Sequence, residues 1–245
     1  MSGPIASQFQ RIGAAWRLLP GNMRGALWVT MGTIAFALND TVVKNLGRTI
    51  NPIELAMARY TVGFLLLAPV FIRMGWTRLK TGRPGLHALR LVIACLAQIG
   101  TFYAVIHLML ADATAIAFSR PLFTTLFSVV MLSEVVRWRR WTATAIGFVG
   151  VLVMVRPGAG AIDPTTLIAV VTAATFAFAN VLIRVMAPTE PPNRILFYYH
   201  GGAILLFILP TWWVWITPAP EQWLLLFAIG VLTTIGMIGF VRGFS

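Results

Sequence analysis

The sequence predicts an all-α integral membrane protein of eight transmembrane helices, and three observations carry that prediction. Of the 245 residues, 58% are hydrophobic and 11% charged, against roughly 45–50% and 25% in soluble domains, so lipid must solvate much of the surface. The apolar stretches run for about 20 residues, the length that crosses roughly 30 Å of hydrocarbon. They are continuous rather than alternating, and a spanning backbone must satisfy its own hydrogen bonds, so helices and not a closed barrel are expected.

The first 24 residues hold Arg11, Arg17 and Arg24 and no acid, and Phe9, Ile12, Trp16 and Leu19 can form one face of a short surface helix. The first long apolar stretch begins near Gly25 and runs into Asn39-Asp40, which argues against a cleaved signal peptide and leaves a mitochondrial transit peptide as a minor alternative. The eight spans are read at 25–44, 53–73, 87–110, 113–133, 139–156, 165–187, 194–216 and 222–244. Asn51-Pro52 opens the second, with proline in the first turn, where no amide donor is missed. Arg83-Pro84-Gly85, Arg156-Pro157-Gly158 and Pro188 through Pro192 are turns. Leu110-Ala111-Asp112-Ala113 reads as a tight hairpin, making the third and fourth spans antiparallel neighbours. Within the fourth, Pro121 removes an amide donor and frees the Ala117 carbonyl, which favours a kink.

The net charge of +12 would suggest nucleic acid in a soluble protein. Here the basic residues sit in short stretches between apolar segments, the pattern that orients membrane proteins, and no nucleic-acid partner is expected. With the N-terminus inside, the cytoplasmic segments hold thirteen basic residues: Arg11, Arg17, Arg24, Arg73, Arg78, Lys80, Arg83, Arg90, Arg137, Arg139, Arg140, Arg184 and Arg194. The outer segments hold three, Lys44, Arg48 and Arg156. The expected placement is therefore a multi-pass protein of a bacterial inner membrane with a cytoplasmic N-terminus. Cys95 is the only cysteine, so no intramolecular disulfide forms and no thiolate metal site is suggested.

Shifting the sequence by 140 positions aligns residues 37–44 with 177–184, Pro52 with Pro192, and Arg59-Tyr60 with Tyr199-His200. Ile99-Gly100 falls opposite Ile235-Gly236 at a shift of 136. If spans one to three match spans six to eight, each unit has five helices, and an odd count inverts the second. Inverted repeats suit a carrier, because exchanging the conformations of the two halves exchanges the open side. The expected organisation is a cytoplasmic segment over 1–24, a first repeat over 25–156, and a second over 157–245 that lacks the last two helices of a ten-helix (5+5) inverted-repeat fold.

The ordered set of motifs resembles the EamA-type permeases of the drug/metabolite transporter superfamily. The resemblance is carried by Asn39-Asp40-Thr41-Val42-Val43-Lys44, Ala58-Arg59-Tyr60 and Ala111-Asp112-Ala113-Thr114-Ala115. It continues through Ser119-Arg120-Pro121-Leu122-Phe123, Ser133-Glu134, Arg137 to Trp141, Gly147 to Leu152, and Arg156-Pro157-Gly158. It implies two five-helix repeats around a central cavity and transport of a small metabolite without ATP.

Ionisable side chains in hydrocarbon usually face the bundle interior or a wet cavity. Arg59, Gln98, Tyr103, Ser119, Arg120 and Asn180 are therefore the candidate substrate-binding residues, with Arg59 and Arg120 attracting a carboxylate-bearing or anionic substrate. The structural alternatives are that Arg59 pairs with Asp40, and that Asp40 pairs with Lys44 at i,i+4. Asp40 and His107 are the candidates for proton coupling. Glu134 is expected to pair with Arg137 or Arg140, Trp212, Trp213 and Trp215 to form an interfacial belt, and Gly239–Gly243 and Gly147–Gly150 to allow close helix packing.

Other classes fare worse. The seven acids form no two-carboxylate motif, and His87, His107 and His200 are scattered, so neither an enzyme nor a metal or cofactor is expected. Lys44 and Lys80 are the only lysines and neither lies in a phosphate-binding loop, which excludes an ATP-driven pump on this chain alone. A channel or a non-transporting scaffold is the alternative to a carrier. The expected partners are a small-molecule metabolite and the lipid bilayer, and a homodimer is left open.

Overall fold

Helices begin where the sequence supplies prolines and caps. The computed structural model describes residues 20–133, 137–155 and 163–243, and all the elements among them are helical. They are α1 (Gly21–Leu46), α2 (Pro52–Met74), α3 (Trp76–Leu79), α4 (Pro84–His107) and α5 (Leu110–Ala117). The series continues with α6 (Arg120–Leu132), α7 (Trp138–Val155), α8 (Pro164–Met186), α9 (Pro192–Val214) and α10 (Pro220–Gly243). Proline stands in the first turn of α2, α4, α6, α8 and α9, where its missing N–H has no intrahelical partner to lose. Asn51 caps α2 by accepting from the Ile53 amide at 3.0 Å. Asp163 caps α8 by accepting from the amides of Thr165 and Thr166, and those bonds, the Thr165 amide first, hold its carboxyl below the usual carboxylate range.

Seven helical stretches are long and apolar enough to cross a membrane among the described residues. The expected fifth span, 139–156, corresponds to α7, which carries Arg139 and Arg140 in its first turn. The expected fourth span is a broken helix. α5 ends at Ala117 and α6 starts at Arg120, with Ser119 donating its hydroxyl to the Ile116 carbonyl at 2.6 Å and Pro121 in the first turn of α6. The hairpin expected at Leu110–Ala113 is instead the first turn of α5, and the chain reverses one step earlier, at Leu108-Met109.

The chain divides into two units, residues 40–231 and the terminal segments up to 39 and from 232. In the terminal unit, glycine lets two helices meet. A Cβ on Gly239 would lie 2.7 Å from the Trp28 carbonyl oxygen and 2.9 Å from the Gly32 Cα, and one on Gly236 would strike the Phe36 ring. Asn39 accepts a hydrogen bond from Thr233 at 3.2 Å. The larger unit centres on an apolar cluster that includes Val43, Leu46, Ile50, Leu55, Tyr60, Phe102 and Phe207. In it α8 packs along α4 and α6, and α9 along α2 and α4. Gly100 permits the α4–α8 approach, since a Cβ there would lie 2.1 Å from the Thr172 hydroxyl. Gly147 likewise admits the Leu122 side chain, whereas Gly150 faces open space. Trp212 and Trp213, each 84% exposed, end α9 with Trp215, as an aromatic belt requires.

The backbone recurs at the shift of 140. α2 and α9 have the same length, 23 residues, and each follows a four-residue turn, 47–50 or 187–190. In the first turn the amides of Gly47, Thr49 and Ile50 donate to Val43, Leu46 and Leu46 at 2.8, 3.0 and 2.8 Å. In the second, those of Ala187, Thr189 and Glu190 donate to Ile183, Met186 and Met186 at 2.8, 3.0 and 2.9 Å.

Candidate functional site

The α5–α6 break brings Arg120 to the start of a helix inside the larger unit. Its guanidinium carbon lies 4.4 Å from the centroid of Phe176, and Nη2 reaches the Thr101 hydroxyl at 3.4 Å. That hydroxyl donates its own proton to the Ala97 carbonyl, so it serves Arg120 as an acceptor. The buried Nε of Arg120 has no partner among the described residues. Around it is a cavity of about 80 Å³ lined by Asp40, Thr101, Thr114, Arg120 and Thr172 together with small apolar residues such as Ala117. Metabolite pockets run to roughly 300 Å³ or more, so this cavity holds a few waters and must widen to admit a substrate. The arrangement presents one carboxylate, one guanidinium and three hydroxyls, and so can bind polar and charged groups.

The other expected site residues are placed as follows. Arg59 is half-buried on α2, its guanidinium 5.4 Å from the ring centroid of Tyr60. Gln98 is buried in α4. Tyr103 stacks on His107 with centroids 4.0 Å apart, and His107 Nδ1 lies 2.8 Å from the Tyr103 carbonyl oxygen. His107 is exposed, Ser119 is buried in the helix break, and Asn180 is exposed on α8. The structure therefore brings Asp40 and Arg120 together around the cavity and sets Gln98, Tyr103, Ser119, His107 and Asn180 outside its lining.

Lys44 and Arg59, the two expected partners of Asp40, each make a contact that the sequence did not predict. Lys44 donates to the carbonyls of Val105 and Leu108, neutralising the C-terminal end of α4, and Arg59 lies against Tyr60. Glu134 and its expected pairing lie outside the described residues.

Two groups were missed from the sequence. Arg90, counted among the loop cations, is buried in α4 with its guanidinium 4.6 Å from the Tyr199 centroid. Proline at position 84 carried the signal, because a helix starting there puts residue 90 well inside it. The second is a network at Glu190, in the turn between α8 and α9. Its carboxylate accepts from Thr81 at 2.7 Å and from Arg194 at 3.0 Å and faces His87 Nε2 at 3.3 Å. Arg194 also donates through Nε to the Arg78 carbonyl at 2.9 Å. Burial pushes the Glu190 carboxyl up, but these donors outweigh it and hold the group below the usual carboxylate range.

Comparison with known proteins agrees with this architecture. Residues 23–156 match the EamA-like transporter family. The S-adenosylmethionine uptake transporter of Rickettsia prowazekii (strain Madrid E) is 27% identical, over 91% of this chain and 76% of the relative. The pseudopaline exporter CntI of Pseudomonas aeruginosa (strain UCBPP-PA14) is 29% identical over 90% and 78%. The riboflavin transporter of Vibrio cholerae serotype O1 is 24% identical over 91% and 76%. A solved crystal structure superposes with a TM-score of 0.63 at 21% identity, covering 89% of this chain and 79% of that one, which supports the fold. With its apolar helices and buried polar cavity, the chain belongs to the EamA-like transporter family, as a multi-pass bacterial membrane transporter of a small metabolite and not an enzyme.

Proposed function

We propose that the chain is a secondary carrier that works by alternating access on a metabolite bearing a carboxylate or other anionic group. The observation that carries this reading is Arg120, whose buried Nε has no partner in a cavity that also holds Asp40. An ionisable group inside a membrane protein that faces a polar cavity marks a substrate or ion pathway. Arg59, on the neighbouring α2, supplies a second cation. Asp40 lines the cavity and is the better placed of the two proton-coupling candidates, because His107 stacks against Tyr103 outside it.

The recurring turns support an inverted pair of five-helix units. With the N-terminus cytoplasmic, as the distribution of Lys and Arg favours, the Glu190 turn and the 78–83 segment lie on the cytoplasmic side. The cavity residues cluster in the opposite half. In this reading the Glu190 network is the closed inner gate, and it must open for the substrate to leave.

Uptake into proteoliposomes tests the reading. S-adenosylmethionine, pseudopaline and riboflavin, the compounds named for the relatives, form the first panel. Saturable flux that Arg120→Ala weakens through a higher KM supports it. Flux of the best compound with unchanged apparent affinity in Arg120→Ala removes Arg120 from the site, and non-saturating ion current would indicate a channel. Flux indifferent to an imposed pH gradient removes the proton from Asp40.

A further inference from the structure

Arg90 is six residues past the start of α4, about 9 Å along the helix at 1.5 Å per residue. It is 7% exposed, and its Nε has no hydrogen-bond partner among the described residues. Glu190, the buried carboxylate beside the start of α9, pairs with His87 and Arg194 and not with Arg90. The Arg90 guanidinium lies over the ring of Tyr199 at 4.6 Å. A ring face returns only part of what desolvating a guanidinium takes away, so the contact with Tyr199 offsets the burial of Arg90 only in part.

The surroundings give that cation a direction. Tyr199 and Tyr60 meet hydroxyl to hydroxyl at 2.8 Å, with their rings edge to face at 5.2 Å. Tyr60 is held by stacking on Phe207 at 5.7 Å, and Arg59 lies against its ring. One guanidinium therefore lies against each ring of a hydrogen-bonded tyrosine pair, Arg59 at Tyr60 and Arg90 at Tyr199. Arg59 sits seven residues from the start of α2, and Arg90 six from the start of α4. The pair uses one hydroxyl proton on itself and leaves the other as a donor.

We propose that Arg90 is a binding residue of the transport route, receiving the carboxylate or other anionic group of an organic substrate beside the Tyr60–Tyr199 pair. This rests on the reading that Arg59 and Arg120 attract such a substrate, and adds a second station to it. The competing role is a structural strut, in which the guanidinium serves only to hold Tyr199. The two roles differ in sign. Replacing a partly compensated cation by an apolar chain of similar length relieves the ligand-free fold, whereas removing a strut loosens it.

The experiment is a melting series on the purified full chain in detergent, with sodium benzoate as the anionic probe and benzamide as its uncharged counterpart. Benzoate at millimolar concentration is expected to raise the wild-type midpoint by a few degrees, and benzamide to leave it unchanged. Arg90→Met is expected to melt at or above the wild type without probe and to lose the benzoate response, and Arg90→Lys to regain part of that response. An Arg90→Met protein that fails to fold, melts below the wild type or keeps the full response overturns the proposal, as does a wild type that ignores benzoate. Arg59→Met and Arg120→Met separate the two readings. A response lost in these variants but kept in Arg90→Met refutes the Arg90 assignment alone.

Discussion

The turns at 47–50 and 187–190 share a backbone and differ in what they bury. In both, the fourth residue is almost fully enclosed, Ile50 at 2% and Glu190 at 3% exposure. Even the threonine hydroxyls agree, Thr49 donating to Leu46 at 3.2 Å and Thr189 to Met186 at 3.3 Å. Yet Ile50 packs into the apolar cluster, while Glu190 gathers Thr81, Arg194 and His87. An apolar contact is indifferent to direction, but a buried carboxylate is stable only while its donors stay in place. The same turn is thus a fixed joint at one end of α2 and α9 and a breakable one at the other.

Exchanging the two characters should be most damaging at the apolar turn. Ile50→Glu buries a carboxyl without donors and is expected to lower stability by about 3 kcal/mol, read as a lower melting midpoint in detergent. A variant that melts like the wild type would break the comparison. Glu190→Ala leaves Thr81 and Arg194 without their acceptor and is expected to lose about 2 kcal/mol by the same readout. The sign of its pH dependence follows from the depressed carboxyl. The Glu190 contribution is complete above the unfolded value of roughly 4.3 and is lost as pH falls through the lower folded value. The gap in midpoint between the wild type and Glu190→Gln should therefore be constant at neutral pH and shrink below about pH 4.

Smaller effects sharpen the comparison further. A Cβ on Gly47 would lie 2.3 Å from the Ile106 side chain, so Gly47→Ala should lose about 1 kcal/mol. Its counterpart is already alanine, Ala187, and is exposed. Asn51 caps α2 through its side chain, whereas Pro191 offers α9 no such bond. Asn51→Ala should lose about 0.5–1 kcal/mol, the smallest shift in the set.

Most of the helical layout was legible in the sequence because apolar length and proline placement act locally. The charged residues were harder to place, because their positions depend on where each helix starts. Reading the third span from residue 87 left Arg90 at a membrane surface, while a start at Pro84 buries it. Asp40 and Arg120 were legible as intramembrane charges, but their meeting around one cavity depends on how α8 packs against α4 and α6. Lys44 had a candidate partner at i,i+4, while its bonds to the carbonyls of Val105 and Leu108 at the end of α4 could not be read locally. Glu190 lay in a proline-rich turn, and nothing local announced that His87 and Thr81, more than a hundred residues earlier, would close around it.

The direct test of the inverted pair is the sidedness of the two equivalent turns. Thr49 and Thr189 are both exposed, and Cys95 is buried, so single cysteines at 49 and 189 in a Cys95→Ser background can be labelled with a membrane-impermeant maleimide. In intact cells with a permeable outer envelope, position 49 should label at once, and position 189 only after the inner membrane is opened. Labelling of both positions from the same side would contradict the account.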